Sequence, residues 1–179
     1  MNATSFSTNY GVVKYDGTRL VTSSTETVQS GIWRKTSQPA FAAYKSATTA
    51  NVTGNGTVYS YICDTKEFDI GTNYNNATGI FTAPVSGIYL FTTNVLIANC
   101  THPNYIAIYI VTTSRTYQKQ YGLGPLANDL GLGMAIIAQM TAGETVYPQV
   151  YVSGEAAKTD SVFGGAAYGV TFFQGCLLF

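Results

Sequence analysis

The strands this sequence encodes are apolar on both sides, and that constrains its fold more than any other feature. In residues 88–97, Tyr89, Phe91, Val95 and Ile97 share one side of an extended chain, while Ile88, Leu90 and Leu96 share the other, interrupted by Thr92 and Asn94. In 105–111, Tyr105, Ala107, Tyr109 and Val111 oppose Ile106, Ile108 and Ile110. In 172–179, Phe173, Gly175, Leu177 and Phe179 oppose Phe172, Gln174, Cys176 and Leu178. A strand with one wet face would alternate apolar with polar residues. One side can fill an internal core, but the second needs its own cover, either loops folded over the sheet or another copy of the chain. Left in water it would exceed the several hundred Å² of apolar patch that monomers ordinarily show. A closed symmetric oligomer is the expectation preferred here.

Composition points the same way. Only 10% of the 179 residues are charged, and Lys+Arg balances Asp+Glu at 9 each; a soluble chain averages about 25% charged residues. Tyr occupies 14 positions. A surface this neutral is poorly suited to a monomer. The absence of basic excess argues against nucleic-acid binding, and high apolar content argues against disorder. No apolar run reaches the ~20 residues that span a bilayer as a helix, so membrane insertion is not expected. Met1–Phe6 holds no basic region followed by an apolar stretch, so no signal peptide is expected.

Short runs of Val, Ile, Tyr, Phe and Thr recur between clusters of Gly, Pro, Asn and Asp, which predicts an all-β chain. The expected strands are 40–45, 57–63, 79–83, 87–98, 104–113, 116–121, 132–140, 144–152 and 168–179. The glycines of 121–133 predict a loop there, and Asn99–Asn104 reads as another. Gly79 and Gly87 are expected at turns with positive φ. Residues 1–37 are poorer in apolar side chains. They carry a hairpin signal, Asp16-Gly17 between Val12–Tyr15 and Thr18–Val21, and read as a β-rich stalk stub or linker. A head domain is then expected over 38–179, with the boundary near Gln38-Pro39.

Chemistry-bearing residues are sparse. Cys63, Cys100 and Cys176 form no C-x-x-C pair, and their odd number predicts buried thiols rather than a disulfide framework. His102 is the single histidine, so the usual His/Cys zinc site lacks ligands. It precedes Pro103 in an apparent loop, which suits a solvated side chain better than a general base. Gly122–Pro125 and Gly131–Gly133 lack the Lys-Ser/Thr of a phosphate loop. No catalytic residue, cofactor or metal is therefore expected. Asp64, Glu67 and Asp69 leave a calcium site conceivable, although solvated carboxylates are the plainer reading. Five Asn-x-Ser/Thr triplets begin at Asn2, Asn51, Asn55, Asn76 and Asn99; they would carry glycans only in a eukaryotic secretory pathway.

Residues 63–93 resemble the signature of the complement C1q-like globular head, a branch of the C1q/tumour-necrosis-factor superfamily. Asp69, Tyr74, Phe81, Gly87, Tyr89 and Phe91 fall in its register; Cys63 replaces a Phe and Thr93 an aromatic. Pro39–Ala43 is similar to the family's first strand and Met140–Val146 to its penultimate turn. Phe173–Phe179, with Phe173, Gly175 and Leu177, is similar to its closing strand. The resemblance covers about 38–179 and implies a ten-stranded antiparallel jelly-roll sandwich that forms a compact homotrimer. It implies a non-enzymatic recognition head on the cell exterior or a virion surface, partnered by itself and by a receptor, protein or glycan. No Gly-x-y repeat precedes the head, and residues 9–18 are similar to β-rich stubs before the tips of phage, viral and bacterial surface proteins. A receptor-binding tip of a viral or phage fibre or a microbial surface protein is the leading expectation, and a secreted cytokine-like ligand the alternative. Tyr117, Lys119, Tyr121 and Leu123, the loop holding His102 and Asn104, and the stretch with Glu155 and Lys158 are the expected recognition positions.

Overall fold

The computed structural model describes residues 6–8, 11–15, 20–21, 26–29, 32–35, 38–122 and 128–179, with side chains from residue 38 onward except that of Asn128. The chain divides into two compact units, Met1–Gln38 and Pro39–Phe179. The first unit is an antiparallel meander of β1 (Phe6–Thr8), β2 (Gly11–Tyr15), β3 (Leu20–Val21), β4 (Glu26–Gln29) and β5 (Ile32–Lys35). The expected hairpin is present with a longer connection: Tyr15 pairs with Leu20, where the Asp16-Gly17 signal placed Thr18.

The second unit is a two-sheet sandwich without helix among its described residues. Its strands are β6 (Ala40–Tyr44), β7 (Ala47–Thr53), β8 (Val58–Ser60), β9 (Thr65–Ile70), β10 (Tyr74–Asn75), β11 (Ile80–Thr82), β12 (Gly87–Cys100), β13 (Tyr105–Thr112), β14 (Thr116–Gly122), β15 (Asn128–Met140), β16 (Thr145–Ser153), β17 (Asp160–Gly165) and β18 (Phe172–Leu177). One sheet runs β7-β17-β12-β18-β6-β9, with β15 on the other edge of β12. The other runs β10-β11-β16-β13-β14, with β8 also on β16. Every pairing is antiparallel, and the jelly-roll expectation holds. Its described residues form thirteen strands where ten were expected, the surplus being short pieces such as β8 and β10.

The core is where alternation places it. From β12 come Tyr89, Phe91, Val95 and Ile97, from β13 Ile106, Ile108 and Ile110, and from β16 Val146, Val150 and Val152, all fully buried. The signature residues supply its aromatic centre. Phe41 stacks on Tyr74 at 4.7 Å and on Phe81 at 4.9 Å, and Tyr89 on Phe91 at 5.8 Å; offset stacks of this kind add to the stabilisation from burial alone. Cys63 and Thr93, the two departures, are buried as well. The Tyr61 hydroxyl reaches Thr93 Oγ1 at 2.7 Å, and Thr93 donates to the Phe172 carbonyl at 2.7 Å. A tyrosine from outside the signature thus fills the space beside Thr93.

Two expectations about glycine are corrected. Gly79 has the positive φ of a turn residue, 74°, but Gly87 does not. A Cβ at Gly87 would lie 2.6 Å from Leu177 Cδ1 and 2.9 Å from the Phe179 carbonyl oxygen, so close approach of the C-terminal strand is what excludes a side chain. The expected loop at 121–133 is largely strand: β15 begins at Asn128, and its Gly131 and Gly133 pair with Leu96 and Asn94. The loop expected over Asn99–Asn104 is shortened, because β12 continues to Cys100 through a register slip after Ile97.

Candidate recognition surface

The two outer faces of the sandwich differ in chemistry. On the β12 sheet, Ile70, Ala40, Cys176, Leu90 and Ile137 stand in direct register across β9, β6, β18, β12 and β15. The next row is Phe68, Ala42, Gln174, Thr92 and Ala135. Neither row holds a charge. Ile137 is 63% exposed and Phe68 49%, and Ala40, Phe68, Leu90, Thr92, Gln174 and Cys176 line a shallow groove between them. This is the second apolar side read from residues 88–97 and 172–179.

The β13 sheet presents tyrosine and amide groups instead. Outward positions of β13, β14, β16 and β8 align as Tyr109 with Gln149, Gln118 and Ser60, and as Ala107 with Tyr151, Gln120 and Val58. Tyr147 lies beside Val111. Tyr105 and Tyr151 stack at 5.6 Å, their hydroxyls 3.4 Å apart. Gln149 Nε2 donates to Ser60 Oγ at 2.9 Å, and Gln118 Nε2 to Gln120 Oε1 at 3.4 Å. The four tyrosines are half-buried, and Tyr105 and Tyr151 each turn one ring face to the other. Sequence reading placed Tyr105 and Tyr109 on one of the two apolar sides of 105–111 and gave Tyr147 and Tyr151 no role. The signal that identifies the platform is the coincidence of Tyr on β13 and β16 with Gln on β14, legible once strand register is known.

The expected recognition residues separate into two groups. Tyr117 and Tyr121 lie on the core-facing positions of edge strand β14, opposite Ile110 and Ile106, and both pack partly against the core. The Tyr121 hydroxyl donates to the Gly133 carbonyl at 2.8 Å, and Lys119 Nζ, on an exposed side chain, lies 4.9 Å from the Tyr121 ring centroid. They lie on the strand expected over 116–121, which runs on to Gly122. Leu123 lies outside the described residues. His102, Asn104, Glu155 and Lys158 are brought to one end of the sandwich. Glu155 Oε1 accepts the backbone N–H of Thr101 at 2.6 Å and that of His102. The Asn104 N–H reaches the Ser153 carbonyl at 2.7 Å. His102, Asn104 and Lys158 are exposed, and His102 Nδ1 faces Thr101 Oγ1 at 2.9 Å.

Beneath that end, Cys100 Sγ and carboxylate oxygens of Glu155 and Asp160 lie within 4.8 Å of one another. Asp160 is fully buried, and neither of its carboxylate oxygens has a hydrogen-bond partner. Burial, then the Glu155 charge, pushes its carboxyl up to about 7. Burial, then Asp160 and Glu155, pushes the Cys100 thiol up to about 12. The acidic residues singled out for calcium are arranged otherwise. Asp69 accepts the backbone N–H groups of Asn73 at 3.0 Å and Tyr74 at 3.2 Å and pairs with Lys66 at 2.9 Å, which shapes the turn between β9 and β10. Asp64 accepts the N–H and hydroxyl of Ser46 at 2.9 and 3.0 Å.

A family model described as C1q domain matches residues 40–167. Among solved structures, the globular domain of zebrafish complement 1qA protein superposes with a TM-score of 0.56 at 16% identity, covering 79% of this chain and 98% of that one. Murine APRIL at pH 8.5 superposes with a TM-score of 0.55 at 12% identity, covering 79% of this chain and 99% of that one. No curated protein sequence matches the chain.

Proposed function

The chain belongs to the C1q domain family, and from that premise we propose that it is a non-enzymatic, homotrimeric recognition head, the receptor-binding tip of a phage or viral fibre or of a microbial surface protein. Domains of this family are typically extracellular recognition modules that form homotrimers. The observation that carries the reading is the contrast between the two outer faces. The charge-free rows from Ile70 to Ile137 and from Phe68 to Ala135 need cover, and closed C3 assembly supplies it with copies of the same chain. The tyrosine and glutamine face is left outward as the contact surface. Tyrosine rings offer apolar area at low entropic cost, and amides add adaptable hydrogen bonds. A pyranose ring, with an apolar face and a rim of hydroxyls, matches that pairing, as does a polar protein surface. The loops bearing His102, Asn104 and Lys158 extend the accessible end. The β1–β5 meander supports a fibrous attachment of β type.

Light scattering after size exclusion tests the assembly: the wild type elutes at three chain masses, and Ile137→Asp shifts it to one with an unchanged far-ultraviolet spectrum. A stable wild-type monomer overturns the reading. Glycan-array and host-cell binding then test recognition. Tyr109→Ala and Gln118→Ala abolish binding while preserving the trimer. Binding to an animal receptor in place of a microbial host surface would instead make the protein a secreted ligand.

A further inference from the structure

We propose that Cys100, Glu155 and Asp160 bind one Zn²⁺ ion beneath the end of the sandwich. The three ligands come from three elements. β12 delivers Cys100 after its register slip, with Asn99 at a φ of 67°. The turn after β16 delivers Glu155, and β17 opens on Asp160. Their ligand atoms lie within 4.8 Å of one another, close enough for a modest contraction onto Zn–S of about 2.3 Å and Zn–O of about 2.0–2.2 Å.

The second, independent observation is the state of Asp160. A fully buried carboxylate is ordinarily held by hydrogen bonds or a counter-charge, yet both its oxygens are unpartnered. A cation among the three groups supplies what is missing. The surroundings are fixed beforehand. The Thr101 and His102 amides hold Glu155 Oε1, the role that outer hydrogen bonds play around metal ligands. Gly54, at a φ of 112°, closes over Asp160; a Cβ there would meet Asp160 Oδ2 at 3.2 Å and the Ala156 carbonyl oxygen at 2.4 Å.

The donor set selects the metal. A thiolate with two carboxylates suits zinc, which accepts sulfur and oxygen in tetrahedral sites. Calcium takes six to eight oxygens and has no use for sulfur. Water completes the fourth position. On binding, the Cys100 thiol and any protonated Asp160 carboxyl release their protons to solvent, and no redox change occurs.

The test uses the full chain, stripped with EDTA under a non-thiol reductant, and titrated with Zn²⁺ alone and with Co²⁺ alone. One zinc per chain, a raised Tm, and a thiolate-to-cobalt charge-transfer band in the near ultraviolet are expected. Glu155→Gln, a half-buried turn position, weakens zinc at least tenfold with an unchanged circular dichroism spectrum. Cys100→Ser removes the cobalt band. The proposal is overturned by absence of stoichiometric zinc, by full affinity in Glu155→Gln, by a cobalt band that survives Cys100→Ser, or by stabilisation with Ca²⁺ and not Zn²⁺. None of these readouts depends on trimer formation or receptor binding.

Discussion

Gly175 shows how closely single residues are constrained. A Cβ there would stand 2.4 Å from Phe91 Cδ1 and 3.0 Å from the Leu90 carbonyl oxygen, and Phe91 is itself stacked in the aromatic core. Gly175→Ala therefore costs about 1–3 kcal/mol, the range for overpacking a filled core, read as a lower urea midpoint with an unchanged slope. Asp64 illustrates an electrostatic constraint. Desolvation pulls its carboxyl upward, but hydrogen bonds from the Ser46 N–H and hydroxyl and from Thr65 outweigh that, and the net effect is a carboxyl below its ordinary range. A carboxyl lowered on folding stabilises above its unfolded value, and that stability is lost as pH falls through the folded one. Ser46→Ala raises the Asp64 titration midpoint followed by NMR and reduces the loss of stability on acidification. Residues at this scale were partly legible in the sequence. Phe81, Tyr89 and Phe91 were read as core and are core. Gly87 was read as a turn, because composition reports that a side chain is missing and not what would collide with it.

Strands were legible where their apolar alternation was strong, as in β12, β13 and β16. Among the described strands of the sandwich, four were missed for recognisable reasons. β7 is built from Ala, Thr and Asn, and β9 carries Lys66, Glu67 and Asp69. β10 has two residues, and β17 ends in two glycines. Each is recruited by the neighbour it pairs with rather than by its own propensity. The same holds for the start of β15, where Gly131 and Gly133 are drawn into strand by pairing with Leu96 and Asn94. Across the sandwich, β14 is tied to β15 through the Tyr121 hydroxyl and the Gly133 carbonyl. Tyr121→Phe keeps the ring packing and loses that bond, costing about 0.5–1.5 kcal/mol. Amide hydrogen exchange should quicken along β14 while β13 stays protected; uniform protection would assign the bond no role.

For the molecule as a whole, the sequence revealed that its strands had two apolar sides but not that the two sheets use theirs differently. That distinction lives in register: Leu90 meets Cys176 and Ile137, whereas Tyr109 meets Gln149 and Gln118. A residue list does not align positions as distant as Leu90 and Cys176. The cluster of Cys100, Glu155 and Asp160 was hidden for the same reason, since four strands, β13 to β16, separate Cys100 from Glu155 and a turn separates Glu155 from Asp160. The charge-free rows carry a thermodynamic consequence. With no ion pairs to screen, association through that face should be indifferent to sodium chloride and strengthened by sulfate, and it should weaken on cooling as the hydrophobic driving force fades. The trimer proposed above would hold at low and high salt alike and come apart most readily in the cold.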